Sequence, residues 1–248
     1  MTAEIDVVIP VFNEGRNIAR VLDALHRDVK SRFRVVICYD FDGDDTLTAL
    51  RAYPARRVDW ELVRNPARGP HSAVMAGLRA SSAPAVVVYP ADDDRNSARL
   101  DAMAEQIRLG CDISCASRFI PGGAMVGCPW LKATMVRVAA FTLFHVARVP
   151  THDATNGFRM FSQRALRTLE VESTRGFTYS LELLVKAHRL RWRVGEVPAQ
   201  WFERRAGEGQ SRFHAVRWAP AYLQWYRYAF ATTFLRRGPH TVRRLAAS

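Results

Sequence analysis

At 248 residues, 48% of them hydrophobic, the chain can bury one large core, and its Lys and Arg exceed its Asp and Glu by 12 for a pI near 10.3. That excess calls for a negative partner: nucleic acid, an anionic membrane surface or phosphorylated substrates. The four cysteines, Cys38, Cys111, Cys115 and Cys128, include no C-x2-C pair, which argues against a zinc site or a disulfide framework and for reduced thiols in a reducing compartment.

The chain opens on Thr2-Ala3-Glu4-Ile5-Asp6 without a basic start or a long apolar run, so no signal peptide is predicted and the expected location is cytoplasmic. No window of 18 uncharged apolar residues occurs, so any contact with lipid is expected to be peripheral, on the inner face of the plasma membrane. Strands are predicted at Ile5 to Pro10, Arg34 to Cys38, Asp59 to Val63, Ala85 to Tyr89 and Asp112 to Ser117. Helices are predicted between them at Gly15 to Lys30, Asp44 to Ala52, Pro70 to Ser81 and Ser97 to Leu109. This alternation implies an α/β fold with a mostly parallel sheet covered on both faces, whose ligands gather beyond the carboxyl ends of the strands.

The second half is expected to carry a Gly- and Pro-rich loop (Pro121 to Pro129), a helix near Leu131 to Val146 and a polar turn from Thr151 to Gly157. A helix near Tyr179 to Leu190, a strand from Arg193 to Pro198, a charged loop from Glu203 to Arg212 and an aromatic helical stretch from Ala215 to Leu235 follow. Residues 1–212 read as the main domain, and 213–248 as an amphipathic aromatic and basic helix and tail of the same structural unit.

Beyond the fourth strand runs Tyr89-Pro90-Ala91-Asp92-Asp93-Asp94. Adjacent carboxylates repel unless a cation or solvent screens them, so the run suits either Mg2+ or Mn2+ holding a diphosphate or a solvated acidic loop that caps the next helix. After the second strand, Asp40 is placed to accept a base N–H, and Asp44 or Asp45 to cap the following helix. Arg64 to Ala73 is a turn opening a helix; its small residues and Arg64 and Arg68 suit phosphate, though an ordinary Pro-started helix has the same look. Neither a P-loop nor G-x-G-x-x-G is present.

Taken in order, Val8-Ile9-Pro10-Val11-Phe12-Asn13-Glu14, Asp40, the acidic run, Ser117-Arg118-Phe119 and Asp153-Ala154-Thr155-Asn156-Gly157-Phe158-Arg159 resemble the family 2 glycosyltransferases. Within them, the chain resembles the dolichol-phosphate mannose synthase and polyprenyl-phosphate glycosyltransferase group. The resemblance spans about Asp6 to Phe213 and implies a GT-A fold, a Rossmann-like α/β architecture. It implies that Pro10, Val11, Phe12, Glu14 and Asp40 surround base and ribose, with Arg64, Gly69, Ala91 and Asp92 completing the nucleotide-sugar site. Asp92 is then the main metal ligand, with Asp94 or Asp93 as the second, because Pro90 stands at the first Asp of the family's Asp-x-Asp motif and Asp94 at its following Gln. Arg118, Lys132 and Arg159 are expected on phosphate. Arg205, Ser211 and Arg212 resemble a late loop that closes over the donor, two residues longer here.

What the resemblance implies is an inverting transfer from a UDP- or GDP-sugar, with Mg2+ or Mn2+, to a polyprenyl phosphate at an anionic membrane surface. Such an acceptor is already ionised, so positioning and charge stabilisation suffice, whereas a sugar hydroxyl would need a base, for which Asp153 or Glu182 is the candidate. Trp218, Tyr222, Trp225, Tyr226, Tyr228 and Phe230 among Arg217, Arg227, Arg236, Arg237, Arg243 and Arg244 suit a membrane interface, with a core-packing helix and a basic tail as the alternative. A saccharide or small-molecule acceptor and a catalytically degenerate sugar-nucleotide-binding or scaffolding subunit remain as alternatives, as do a homo-oligomer and a membrane-anchor partner. Nucleic acid is set aside, because the arginines are spread along the chain and the best-marked strand ends are acidic.

Overall fold

The computed structural model describes residues 3–54, 57–202 and 215–246, with the backbone alone described for 215–219. In chain order the elements are β1 (Ile5–Pro10), α1 (Ile18–Asp28), β2 (Phe33–Tyr39), α2 (Asp45–Ala52), β3 (Trp60–Arg64), α3 (Pro70–Ala80), β4 (Ala85–Val88), α4 (Arg99–Arg108) and β5 (Ile113–Ser117). They continue with β6 (Ala124–Val126), α5 (Trp130–Phe141) and its π-helical extension Thr142–Val146, β7 (Arg159–Ser162), α6 (Gln163–Thr168), α7 (Thr178–Arg189), β8 (Val194–Pro198), β9 (Gln200–Phe202) and α8 (Ala215–Phe234).

Seven strands form one sheet in the order β3-β2-β1-β4-β7-β5-β8, and β6 pairs with β9 in a small second sheet. Neighbours in the large sheet are parallel except around β7, which runs antiparallel to both β4 and β5. The chain leaves β1 toward β2 on one side and returns to β4 on the other, so the carboxyl ends of β1 and β4 flank the point where strand order reverses, the usual place for a ligand in such sheets.

Alternation along the strands divides the core into two layers. Ile5, Val7 and Ile9 of β1 join Val35 and Ile37 of β2 and the apolar stripe Ile18, Val21, Leu22 and Leu25 of α1 on one face; Val8, Val36 and Cys38 meet Ala73, Val74 and Leu78 of α3 on the other, which also carries α7 and α8. Gly77 lets α3 lie close: a Cβ there would sit 2.3 Å from Val8 Cγ1 and 2.6 Å from Cys38 Sγ. Asp6, buried in β1, is held by Arg34 through two 3.0 Å bonds and by the amides of Ser82 and Ala83.

The aromatic stripe of α8 turns inward. Trp225 is 2% exposed and Ala229 fully buried, while Tyr222, Tyr226, Tyr228 and Phe230 pack against the same layer. Of the two sequence readings for these described residues, the structure therefore takes core packing; the side chains of Arg217 and Trp218 lie outside the described set. Among the described residues no helix is long and apolar enough to cross a membrane.

Candidate active site at the carboxyl rim of the sheet

Beyond β1 the chain turns through Asn13, whose φ of 54° is the left-handed conformation that Asn tolerates better than most residues. Three successive amides then dock on the start of α2: Asn13 N donates to both Asp44 carboxylate oxygens at 3.1 Å, Glu14 N to Thr46 Oγ1 at 2.9 Å and Gly15 N to Asp45 Oδ1 at 2.8 Å. Asp44 also accepts from Thr46 N and so caps α2, one of the two capping residues the sequence offered. Pro10 is half-buried and Val11 buried; Phe12 is 42% exposed, its ring 5.5 Å from that of Phe41; Glu14 Oε2 accepts from Asn17 Nδ2 at 2.7 Å.

Asp40, just past β2, organises the loop after β3. One of its oxygens accepts from Asn65 Nδ2 at 2.6 Å and the other from Gly69 N at 2.9 Å. Buried Asn65 in turn accepts from Ala67 N and Ser72 Oγ. Gly69 adopts φ 106°, closed to side chains with a Cβ, so glycine is required for the loop to enter α3 at Pro70. The result is a cleft of about 420 Å3 lined by Asp40, Phe41, Arg64, Asn65, Pro66, Ala67 and Arg68, a size that takes a small molecule. An aromatic wall, one carboxylate and two guanidinium groups suit a ligand that is part planar ring and part anion.

The acidic run divides by role. Asp93 Oδ1 accepts from the amides of Arg95 and Asn96 at 2.9 and 3.0 Å, and Oδ2 from Asn96 Nδ2 at 2.7 Å, so its oxygens secure the turn. Burial, reinforced by neighbouring Asp92, raises its carboxyl pKa. Asn96 ties this turn to β9 by bonds to Gln200 O and from Gln200 N. Asp92 and Asp94 are half-buried, with Asp94 3.8 Å from Arg95; Ala91 is buried. Among the described residues no three His, Cys, Asp or Glu gather as a closed metal site. Two hard oxygen donors at a rim fit instead a cation whose remaining ligands come from a diphosphate and water, the usual manner of Mg2+ and Mn2+.

The opposite side is built on β5. Arg118 Nε and Nη2 meet Asp153 Oδ2 and Oδ1 at 2.6 and 2.8 Å, its amide adds a 3.0 Å bond, and Nη2 also donates to Thr155 Oγ1. Asp153 is fully buried; burial alone would raise its pKa, but Arg118 holds it below the ordinary value. Asn156 fastens the same turn to the carbonyl of Ala116. Lys132, on the exposed side of α5, lies 4.5 Å from the centre of the Trp201 ring. Arg159 lies within the core at 1% exposure, donating to Ser180 Oγ and the Ala154 carbonyl. Glu182 is buried in α7, where it accepts from the amides of Glu172 and Ser173 and pairs with Lys186 at 2.6 Å.

The fold thus brings Pro10, Val11, Phe12, Glu14, Asp40, Arg64 and Gly69 to one side of the rim and Ala91, Asp92 and Asp94 to its centre. Arg118 and Asp153 form a buried pair beyond β5, and Arg159 and Glu182 lie in the core. Arg205, Ser211 and Arg212 fall outside the described residues. Sequence reasoning did not single out Phe41, Trp201, Asn96 or the bracing role of Asn65; only the last had a local signal, the Asn-Pro turn after β3.

The profile of Glycosyl transferase family 2 matches residues 6–170. An uncharacterized glycosyltransferase of Mycobacterium tuberculosis is 29% identical over 206 residues, covering 83% of this chain and 88% of that protein. Polyprenol monophosphomannose synthase of Mycolicibacterium smegmatis is 25% identical over 211 residues, 81% of this chain and 78% of that one. Among solved structures, glucosyl-3-phosphoglycerate synthase of Mycobacterium tuberculosis, in complex with Mn2+, uridine diphosphate and glucosyl-3-phosphoglycerate, superposes with a TM-score of 0.62 at 17% identity, over 94% of this chain and 80% of that one. At that identity the likeness concerns the fold, which is GT-A.

Proposed function

The chain belongs to glycosyl transferase family 2, and from that premise we propose that this glycosyltransferase moves one sugar from a nucleoside diphosphate sugar to a polyprenyl phosphate, with inversion at the anomeric carbon. The cleft at Asp40, Phe41, Arg64 and Arg68 takes the nucleoside and the adjoining phosphate. Asp92 and Asp94 are the carboxylates that would hold Mg2+ or Mn2+, Asp93 being engaged by the turn it secures. Bound there, the cation would neutralise charge developing on the diphosphate leaving group.

In the transfer, an oxygen of the acceptor phosphate attacks the anomeric carbon on the face away from the nucleotide. A new carbon–oxygen bond forms, the bond to the diphosphate breaks, and the nucleoside diphosphate leaves with the electron pair. No proton has to move. Asp153 fixes the plane of the Arg118 guanidinium so that it is pre-oriented toward phosphate, and Lys132 supplies a second positive charge.

One observation carries the choice of acceptor. The carboxylates that would serve a hydroxyl acceptor as base, Asp153 and Glu182, are both fully buried, one locked on Arg118 and the other on Lys186 and two amides. An acceptor that arrives ionised needs neither. The polyprenol monophosphomannose in the name of the Mycolicibacterium smegmatis relative supports the same reading. The test is to incubate the protein with GDP-mannose or UDP-glucose, Mn2+ and a prenyl phosphate, and to seek the prenyl-phosphate sugar by mass spectrometry. Its formation with release of nucleoside diphosphate is expected; transfer only to neutral hydroxyl acceptors would overturn the proposal.

A further inference from the structure

Helix α5 buries its small residues and exposes its large ones. Ala133 and Ala140 face the protein, followed by Leu143 and Ala147 of the π-helical extension, while Trp130 is 78% exposed and Leu131, Met135, Val138 and Phe141 are also exposed. For an ordinary surface helix the pattern is reversed, with large apolar side chains inward. At about 100° per residue the exposed apolar residues fill an arc of about 140°, from Trp130 and Phe141 through Val138 and Leu131 to Met135. Arg137 borders one edge of that arc and Lys132 the other.

From Ile113 to His152 the sequence holds no Asp or Glu, whereas Arg118, Lys132, Arg137 and Arg148 fall within it. A cleft of about 210 Å3, lined by Phe119, Arg137, Ala140, Phe141, Phe144, His145 and His152, shares Phe141 with the arc and Arg137 with its edge. The acidic group beside it is Glu196, which accepts from His152 through Nδ1 and the backbone amide. The π-helical extension that follows α5 is backed by α8: Tyr226 contacts Thr142, and Thr233 donates to the Ala147 carbonyl just beyond it.

We infer that the outer face of α5 is the docking surface by which this protein lies on an anionic lipid bilayer. The arc enters the boundary between headgroups and acyl chains, and Arg137 and Lys132 sit at headgroup level on either side. This deepens the lipid-phosphate reading above, since it brings the acceptor and the site to the same plane. The charge pattern decides between a bilayer and a second copy. A two-fold contact through this face would set purely basic edges against one another, which is costly, whereas an anionic surface complements both edges at once. It also sets the membrane contact apart from Tyr222, Trp225, Tyr226, Tyr228 and Phe230 of α8, which pack on the core, while Phe234 at the end of that helix is exposed.

The test compares the full chain with the triple variant Trp130→Ser, Met135→Ser, Val138→Ser, all surface positions outside the transfer site. Sedimentation is measured with vesicles of phosphatidylcholine alone and of equimolar phosphatidylcholine and phosphatidylglycerol, and turnover with a short-chain, water-soluble prenyl phosphate. The wild type is expected to partition onto the mixed vesicles, and the variant at least about tenfold less, with unchanged turnover of the short acceptor. Equal partitioning of the two proteins, or no wild-type binding to the mixed vesicles, overturns the inference. So does a wild-type dimer in light scattering that the variant abolishes, which would assign the face to a second copy. Loss of vesicle binding in the variant while neither protein turns over any prenyl phosphate upholds the docking surface and sinks the acceptor reading alone.

Discussion

Replacing Asp153 with Asn keeps the size of the side chain and removes its charge from a fully buried position. In the native protein its two oxygens accept from Arg118 Nε, Nη2 and backbone N, from Thr155 Oγ1 at 2.9 Å and from Asn156 N at 3.2 Å. Asn supplies one acceptor oxygen and turns an NH2 donor toward groups that are themselves donors. Arg118, whose side chain is 9% exposed, is left with an uncompensated charge. Breaking a buried pair in this way costs about 3–5 kcal/mol, or a fall in melting temperature of roughly 6–20 °C for a chain of this length. The native pKa of Asp153 lies below its ordinary value, so the stabilisation is fully present above the unfolded pKa of about 3.9 and is lost as pH falls through the lower, folded value. Denaturant titrations of wild type and Asp153→Asn should differ by a constant amount between about pH 5 and 7, with the difference closing only in strong acid. Equal stability at neutral pH, or a difference that fades already between about pH 7 and 5, would refute a charged, Arg118-bound Asp153.

Other consequences are as direct. Gly77→Ala puts a methyl group against Val8 and Cys38 and should destabilise by about 1–3 kcal/mol in urea unfolding without altering nucleotide affinity. Asp40→Ala frees Asn65 and Gly69 from their brace; calorimetry should record at least about a tenfold weaker binding of nucleoside diphosphate with a stable fold. Burial pushes the Cys38 thiol up to about 12, so iodoacetamide at mildly alkaline pH should leave it unmodified in the folded protein and alkylate it after denaturation, as read by peptide mass spectrometry.

Much of the frame was legible because its signals are local. β1 falls on Ile5–Pro10 as the apolar run between turn residues dictates, and β2 to β5 lie within a residue or two of expectation. What escaped was set at long range. β7 is only Arg159–Ser162, and its antiparallel insertion between β4 and β5 depends on partners more than forty residues away in sequence. The aromatic spacing of α8 is the same for a helix that faces a core and one that faces lipid, so the residues offered both readings and tertiary packing selected one. In α5 the converse holds: alanines gave no sign that they, rather than Trp130 or Phe141, would face inward. Among site residues, those tied to strand ends, such as Asp40 and Asp92, were findable from position. The role of Asp93 as the anchor of a turn was not, because three consecutive Asp residues look alike until their hydrogen bonds are seen.

The proposed transfer depends on Asp92 and Asp94 holding the cation that carries the donor's diphosphate. Electron paramagnetic resonance of Mn2+ with nucleoside diphosphate tests it most directly, comparing wild type with Asp92→Asn and Asp94→Asn. A bound-Mn2+ signal that requires nucleotide is expected in the wild type and should be lost or greatly weakened in both variants, with their melting temperatures in the absence of ligand unchanged. An undiminished signal in both variants would contradict it.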